Sequence, residues 1–239
     1  MLEAIILSPF SRSFLRTFLF LSTTTLAIAH DLAITPVQQL RSEWCWLAVG
    51  EMVLRNAGVP QFPGSPDYQC GMLMANPRYG SCPNIPAGST GGIRSLVYSY
   101  PAFVNSTGLG SAPAGVISYS HIKHEIQNNR PVIIGVNPSQ VLVGIPNLSR
   151  SYPLGPGSAE HAALIIGFDE AANSITVADP YPYPPAANPY LKVGAVQIDS
   201  KLAYRLTWDQ LVVGLKWVNS LHCLEPVNPS APGKPASCW

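Results

Sequence analysis

Cys45 sits where a cysteine can do chemistry. It stands in Val37-Gln38-Gln39-Leu40-Arg41-Ser42-Glu43-Trp44-Cys45-Trp46-Leu47-Ala48-Val49, where Ser42 can cap a helix and Trp46, Val49, Val53 and Leu54 recur at helical spacing. Asn56-Ala57-Gly58-Val59-Pro60 supplies the stop, because Gly accepts the left-handed C-terminal conformation and Pro cannot continue a helix. A cysteine in the first turn meets unpaired N–H groups and the positive end of the helix dipole, and both favour a thiolate, the form that attacks carbonyl carbon. Position alone does not decide the matter. A lone cysteine on an amphipathic helix more often packs as a small apolar side chain.

A base for that thiol lies far along the chain. Ser158-Ala159-Glu160-His161 precedes the apolar run Ala162-Ala163-Leu164-Ile165-Ile166-Gly167-Phe168, which predicts a buried strand opened by a histidine. Asp169-Glu170-Ala171-Ala172-Asn173-Ser174 is turn-like, and Ile175-Thr176-Val177-Ala178-Asp179-Pro180 runs back. Two antiparallel strands so joined bring Asp179 close to His161. A carboxylate there accepts one imidazole N–H, fixes the tautomer, and leaves the other ring nitrogen facing a thiol.

The order of these motifs resembles the papain-like cysteine peptidases: Gln39 six residues before a Cys-Trp pair at a helix start, then a distant His-Ala-x-x-Ile-x-Gly-Phe-Asp strand, then Val-x-Asp-Pro. The likeness covers roughly Pro36 to Trp217. It is closest to the compact bacterial branch that includes secreted effector peptidases and bacteriocin-leader peptidases. Ile122-Lys123-His124-Glu125-Ile126-Gln127-Asn128-Asn129-Arg130-Pro131-Val132-Ile133-Ile134-Gly135-Val136 is similar to that branch's helix-to-strand step before the histidine. The resemblance implies Cys45 as nucleophile, His161 as general base, Asp179 as its orienter and Gln39 as an oxyanion-hole donor. Two positions depart from the pattern. Glu160 stands where the branch commonly has Gly, and Leu47 replaces a usual small residue.

The rest of the chain must deliver those side chains to one place. Charged residues are 11% and hydrophobic residues 47%, a balance that excludes disorder. With 14 Lys+Arg against 13 Asp+Glu there is no electrostatic footprint for nucleic acid. Arg12 and Arg16, the apolar run from Phe18 to Leu26, and Ala27-Ile28-Ala29 read as a signal peptide over residues 1–29, cut before His30. The expected product is secreted or periplasmic, with no stable membrane insertion after cleavage, a papain-like domain over 30–224 and a Pro-rich tail over 225–239. Its five cysteines then meet an oxidising compartment. Cys70 and Cys82 form one local pair and Cys223 and Cys238 another, leaving Cys45 free.

Helices mainly first and strands mainly later predict an α+β fold, a helical part carrying the nucleophile packed on a C-terminal antiparallel sheet. Strands are expected near Val132–Val136, His161–Phe168, Ile175–Asp179, Leu191–Ile198 and Ala203–Leu206. Helices are expected over Ile93–Tyr98, Tyr119–Asn129 and, opened by the capping-box pattern Thr207-Trp208-Asp209-Gln210, to about Leu215. Residues 59–92 read as irregular. His121 and His124 read as surface or half-buried and His222 as structural. Trp44 suits the core and the cleft about equally. No spacing calls for a metal, and no cofactor is expected. The reading is an exported cysteine hydrolase acting on the amide bonds of a peptide or protein substrate. Its alternatives are an acyltransferase or amidase with the same triad, and a catalytically silent binding module.

Overall fold

Three apolar runs form the middle of the fold because each can be buried on both faces. In the computed structural model these are β3 (Val132–Val136), β4 (His161–Asp169) and β5 (Ser174–Ala178); β3 and β5 are buried at every residue, and β4 at all but its ends. The structure describes residues 28–76, 79, 82, 90–138, 159–198 and 202–227. Around the middle strands lie β1 (Ala29–Asp31), β2 (Leu109–Ala114), β6 (Val196–Ile198), β7 (Ala203–Thr207) and β8 (Asn219–Pro226). The eight strands make one antiparallel sheet of order β2-β8-β3-β4-β5-β7-β6, with β1 alongside β4.

The helices are α1 (Cys45–Asn56), α2 (Tyr68–Met74), α3 (Thr90–Phe103), α4 (Tyr119–Gln127) and the short α5 (Pro189–Lys192). Both α1 and α4 pack on β4, while α3 packs on α1. One hydrophobic core joins them, running from Trp46, Leu47 and Leu54 through Ile122 and Ile126 to Ile165 and Phe168. The α+β expectation therefore describes the fold. Leu47 is wholly buried, so the residue after the Cys-Trp pair packs, and Trp44 is buried as well.

Several local expectations are corrected. Ser42 does not cap α1: Trp44 is the N-cap residue, no side chain caps this end, and the Ser42 carbonyl accepts a bond from Gln39. A tight turn with Trp44 N–H donating to the Arg41 carbonyl starts the helix two residues later than Ser42 implied. Leu191–Ile198 is not one strand. The Asn188 side chain accepts the Tyr190 and Leu191 N–H groups, and Pro189 sits at the first helical position, so α5 forms first. Gly194, at φ +85°, then turns the chain into β6. The region expected to be irregular contains α2, whose first turn is capped by Asp67, and α3 is longer than Ile93–Tyr98.

β1, β2 and β8 lay outside the expected strands. β8 carries Glu225 and Pro226 into the sheet opposite Gly110 and Leu109, so the first residues assigned to the tail belong to the core architecture. The Thr207–Gln210 capping box is present with both reciprocal bonds, at 2.7 and 3.3 Å. The glycine of the β4 motif also has a physical reason: a Cβ at Gly167 would run into the Asp31 carboxylate, which lies across it. That carboxylate accepts from Thr176 at 2.7 Å and pairs with Arg205 at 2.8 Å, tying β1 to β5 and β7. Residues 1–27 of the expected signal peptide, most of the expected tail and Cys238 lie outside the described residues.

Candidate active site

Cys45 opens α1 at its N-terminus and is the free cysteine among the described residues. Cys70 is bonded to Cys82, and Cys223 is also in a disulfide. Leu47 and Ala48 both donate to the Trp44 carbonyl. No side chain caps this end, so the positive pole of the helix lies at Cys45. Because α1 packs on β4, its N-terminus meets the strand whose first residue is His161.

The His161 ring hydrogen-bonds the Cys45 side chain, and on its other side Nε2 lies 2.7 Å from Asp179 Oδ1. The imidazole is nearly enclosed, with 9% of its side chain exposed, and the Asp179 side chain is fully buried. Burial pushes the imidazole toward its neutral form. The Asp179 charge, Cys45 and the hydrogen bonds to both outweigh that and raise its pKa to about 10. An imidazole so held stays protonated at neutral pH beside the sulfur. Asp179 follows β5 directly, and its own N–H donates to the Leu202 carbonyl at 2.8 Å. The three side chains that sequence reasoning singled out for the dyad and its orienter thus meet in one place.

Gln39 meets them through backbone. Its N–H donates to the Pro180 carbonyl at 2.9 Å, which docks the segment before α1 on the residue following Asp179. Its side chain is engaged differently from an open oxyanion donor: Nε2 donates to the carbonyls of Arg41 at 2.7 Å and Ser42 at 2.8 Å, and buried Oε1 has no partner. Donation to an oxyanion requires one of those two bonds to be exchanged.

The model of the Peptidase_C39 like family matches residues 31–206. The chain belongs to the Peptidase_C39 like family. Its members are papain-like cysteine peptidases. The match spans Gln39, Cys45, His161 and Asp179. No curated protein matches the chain in a sequence search.

On this Peptidase_C39 like chain, two supporting residues escaped the sequence reading. Gln69 on α2 is 1% exposed. Its Oε1 accepts the Leu40 N–H at 3.0 Å, and its Nε2 donates to the Gln38 carbonyl at 2.9 Å and to Glu51 at 3.0 Å. It therefore clamps the backbone on both sides of Gln39 to α1. No local pattern could have revealed a pairing between residues so far apart in the chain. The second is Tyr190, which donates to Asp179 Oδ2 at 2.7 Å. Here a signal existed: Asn188-Pro189 is a helix-start dipeptide, and it sets Tyr190 at a fixed angle.

Rings close the site. Tyr181 and Tyr183 stand edge-on to the His161 imidazole, with centroids 6.5 and 6.2 Å away. Elsewhere His121, Glu125 and His222 lie close enough to share a metal ion. Arg130 already takes both Glu125 oxygens at 3.0 Å, and the Cys223 N–H donates there as well. A guanidinium supplies the charge that a cation would, so this cluster is a link between α4 and β8. Burial, first of all, holds both imidazoles below their ordinary pKa. His222 is structural, as its sequence context implied.

Proposed function

We propose that this chain is an exported cysteine-type peptidase, secreted or periplasmic, acting on the amide bonds of peptide or protein substrates through Cys45, His161 and Asp179. The observation that carries the reading is His161 held between the free Cys45 side chain and the buried Asp179 carboxylate. Cys45 Sγ attacks the scissile carbonyl carbon. The developing oxyanion is met by the Cys45 N–H at the helix start, with the Gln39 amide joining once it releases a carbonyl. His161 gives its proton to the leaving nitrogen as the C–N bond breaks, and a thioester remains on Cys45. His161 then takes a proton from water as the hydroxyl attacks the thioester; the C–S bond breaks, releasing the carboxylic acid and restoring the Cys45 thiolate beside protonated His161. The branch of compact bacterial enzymes with secreted-effector and bacteriocin-leader peptidases fits this size and motif order.

The test is hydrolysis of a mixed fluorogenic peptide library combined with the pH profile of Cys45 alkylation by iodoacetamide. Cys45→Ala brings hydrolysis to background. Wild-type Cys45 alkylates readily near pH ~6, where an ordinary thiol is almost wholly protonated, and His161→Ala moves the reaction to more alkaline pH. Asp179→Asn lowers hydrolysis roughly tenfold. Its amide oxygen still accepts from His161 and its Nδ2 turns to the Tyr190 hydroxyl, which can also accept. Asp179→Ala costs about 10²-fold or more because the ring loses its anchor. Alkylation centred at the free-thiol range and indifferent to His161→Ala sinks the reading.

A further inference from the structure

Asp179 is a fully buried carboxylate with three donors. His161 Nε2 and the Tyr181 N–H, at 2.7 and 2.8 Å, converge on Oδ1, and among the described residues the Tyr190 hydroxyl alone serves Oδ2. A carboxylate turns easily about its last torsion, so bonds to one oxygen do not fix its plane. A donor on the other oxygen does. Tyr190 is suited to that task because nothing about it is free to move. Its side chain is 1% exposed, and its ring stacks on Tyr204 with centroids 4.1 Å apart and planes 8° apart. Its N–H is held by Asn188 Oδ1 at 3.0 Å, and the same Asn188 donates to the Tyr204 hydroxyl at 2.9 Å. One asparagine thus fixes both rings of the stack.

We propose that Tyr190 is a positioning residue for this site: its hydroxyl fixes the plane of the Asp179 carboxylate and draws off part of its charge, and so sets how tightly His161 holds its proton. The inference rests on the reading of Cys45, His161 and Asp179 as a catalytic triad. Three features support it. The Tyr190–Asp179 bond is short and buried, so it is strong for its type. Burial and the Asp179 charge keep the Tyr190 proton in place to far above the ordinary range of a phenol, so the donor persists wherever the enzyme works. Asp179 is fully buried, and among the described residues Tyr190 is the donor to Oδ2, so removing the hydroxyl leaves a buried oxygen without one.

The consequence has a sign. With the hydroxyl gone, more of the carboxylate's charge acts on His161, which binds its proton more tightly and becomes a weaker acid toward the leaving amine. A more acidic phenol does the reverse.

The experiment follows the His161 ring by ¹⁵N NMR across pH in the full chain, a readout independent of any substrate. Tyr190→Phe keeps the stack and deletes only the hydroxyl, and it raises the His161 midpoint by about half a unit to one unit. Replacing Tyr190 by 3,5-difluorotyrosine, which is nearly the same shape, lowers that midpoint. Hydrolysis by Tyr190→Phe falls roughly tenfold, a part of what general acid–base catalysis supplies. In an Asp179→Ala background Tyr190→Phe changes nothing further, because there is no carboxylate to act through. Should Tyr190→Phe fold poorly, the difluorotyrosine shift decides alone. A His161 midpoint that stays put or moves the opposite way in these variants overturns the proposal. The triad reading fails by a different result, Cys45 alkylation that ignores His161→Ala.

Discussion

His161 shows how one side chain can carry both stability and reactivity. Its pKa rises from an ordinary 6.5 to about 10 because the Asp179 charge and Cys45 outweigh burial. The folded chain therefore binds the imidazole proton more tightly than the unfolded chain does. The stabilisation is complete below pH 6.5 and fades as pH climbs through about 10. Urea unfolding of wild type and His161→Ala should thus differ more at pH 6 than at pH 10.5, and a gap that widens toward alkaline pH would contradict the sign. At this scale the sequence was most informative where residue type does the talking. A cysteine at a helix start, a histidine opening an apolar run and an aspartate closing the return strand are legible because chemistry restricts which residues can serve. Tyr190 was not legible in the same way, since a tyrosine in a Pro-rich stretch has many commoner uses. The Gln39 amide, turned toward Arg41 and Ser42, depends on side-chain torsions that no residue spacing encodes.

Between elements, the decisive contacts are polar and long-range. Glu125 on α4 is fully buried, and Arg130 compensates it with two bonds while also reaching Glu225 of β8 at 3.3 Å. Arg130→Ala leaves a buried carboxylate facing the Cys223 N–H and the His121 and His222 rings, both held toward their neutral forms. That change should cost about 3–5 kcal/mol in equilibrium unfolding. A loss under about 1 kcal/mol would mean that the pair is as weak as a surface ion pair. The same contacts explain what was hard to read. β3 and β4 were found because continuous apolar runs bounded by turns allow few other structures, and β5 and β7 because their β-branched and aromatic residues lie between turn signals. β8 was missed because Leu221-His222-Cys223-Leu224-Glu225 has no clean alternation. It contains a bulge where Cys223 takes φ +58° and two residues oppose Ser111. The boundary at Leu191 was misplaced because the apolar pattern of Tyr190 and Leu191 suits a strand, while the Asn188 cap and Pro189 favour a helix turn.

For the whole molecule, the Cys70–Cys82 bridge closes a loop with a sequence separation of 12. In the chain-entropy account it stabilises the fold by about 3 kcal/mol. Cys70 follows Gln69, so the bridge also steadies the clamp on Gln38 and Leu40. A Cys70→Ser/Cys82→Ser variant should unfold at lower urea concentration by about that amount while Cys45 remains alkylatable. Loss of Cys45 reactivity at full folding would show instead that the bridge shapes the site directly. The sheet order carries one more consequence. β8, the last described strand in the chain, lies inside the sheet between β2 and β3, and its partner β2 has no other neighbour among the described strands. A nascent chain that has not yet delivered residues 219–226 cannot join β2 to the rest, however long it waits. Closure of the sheet on β2 therefore waits for residues 219–226, whatever else has already formed.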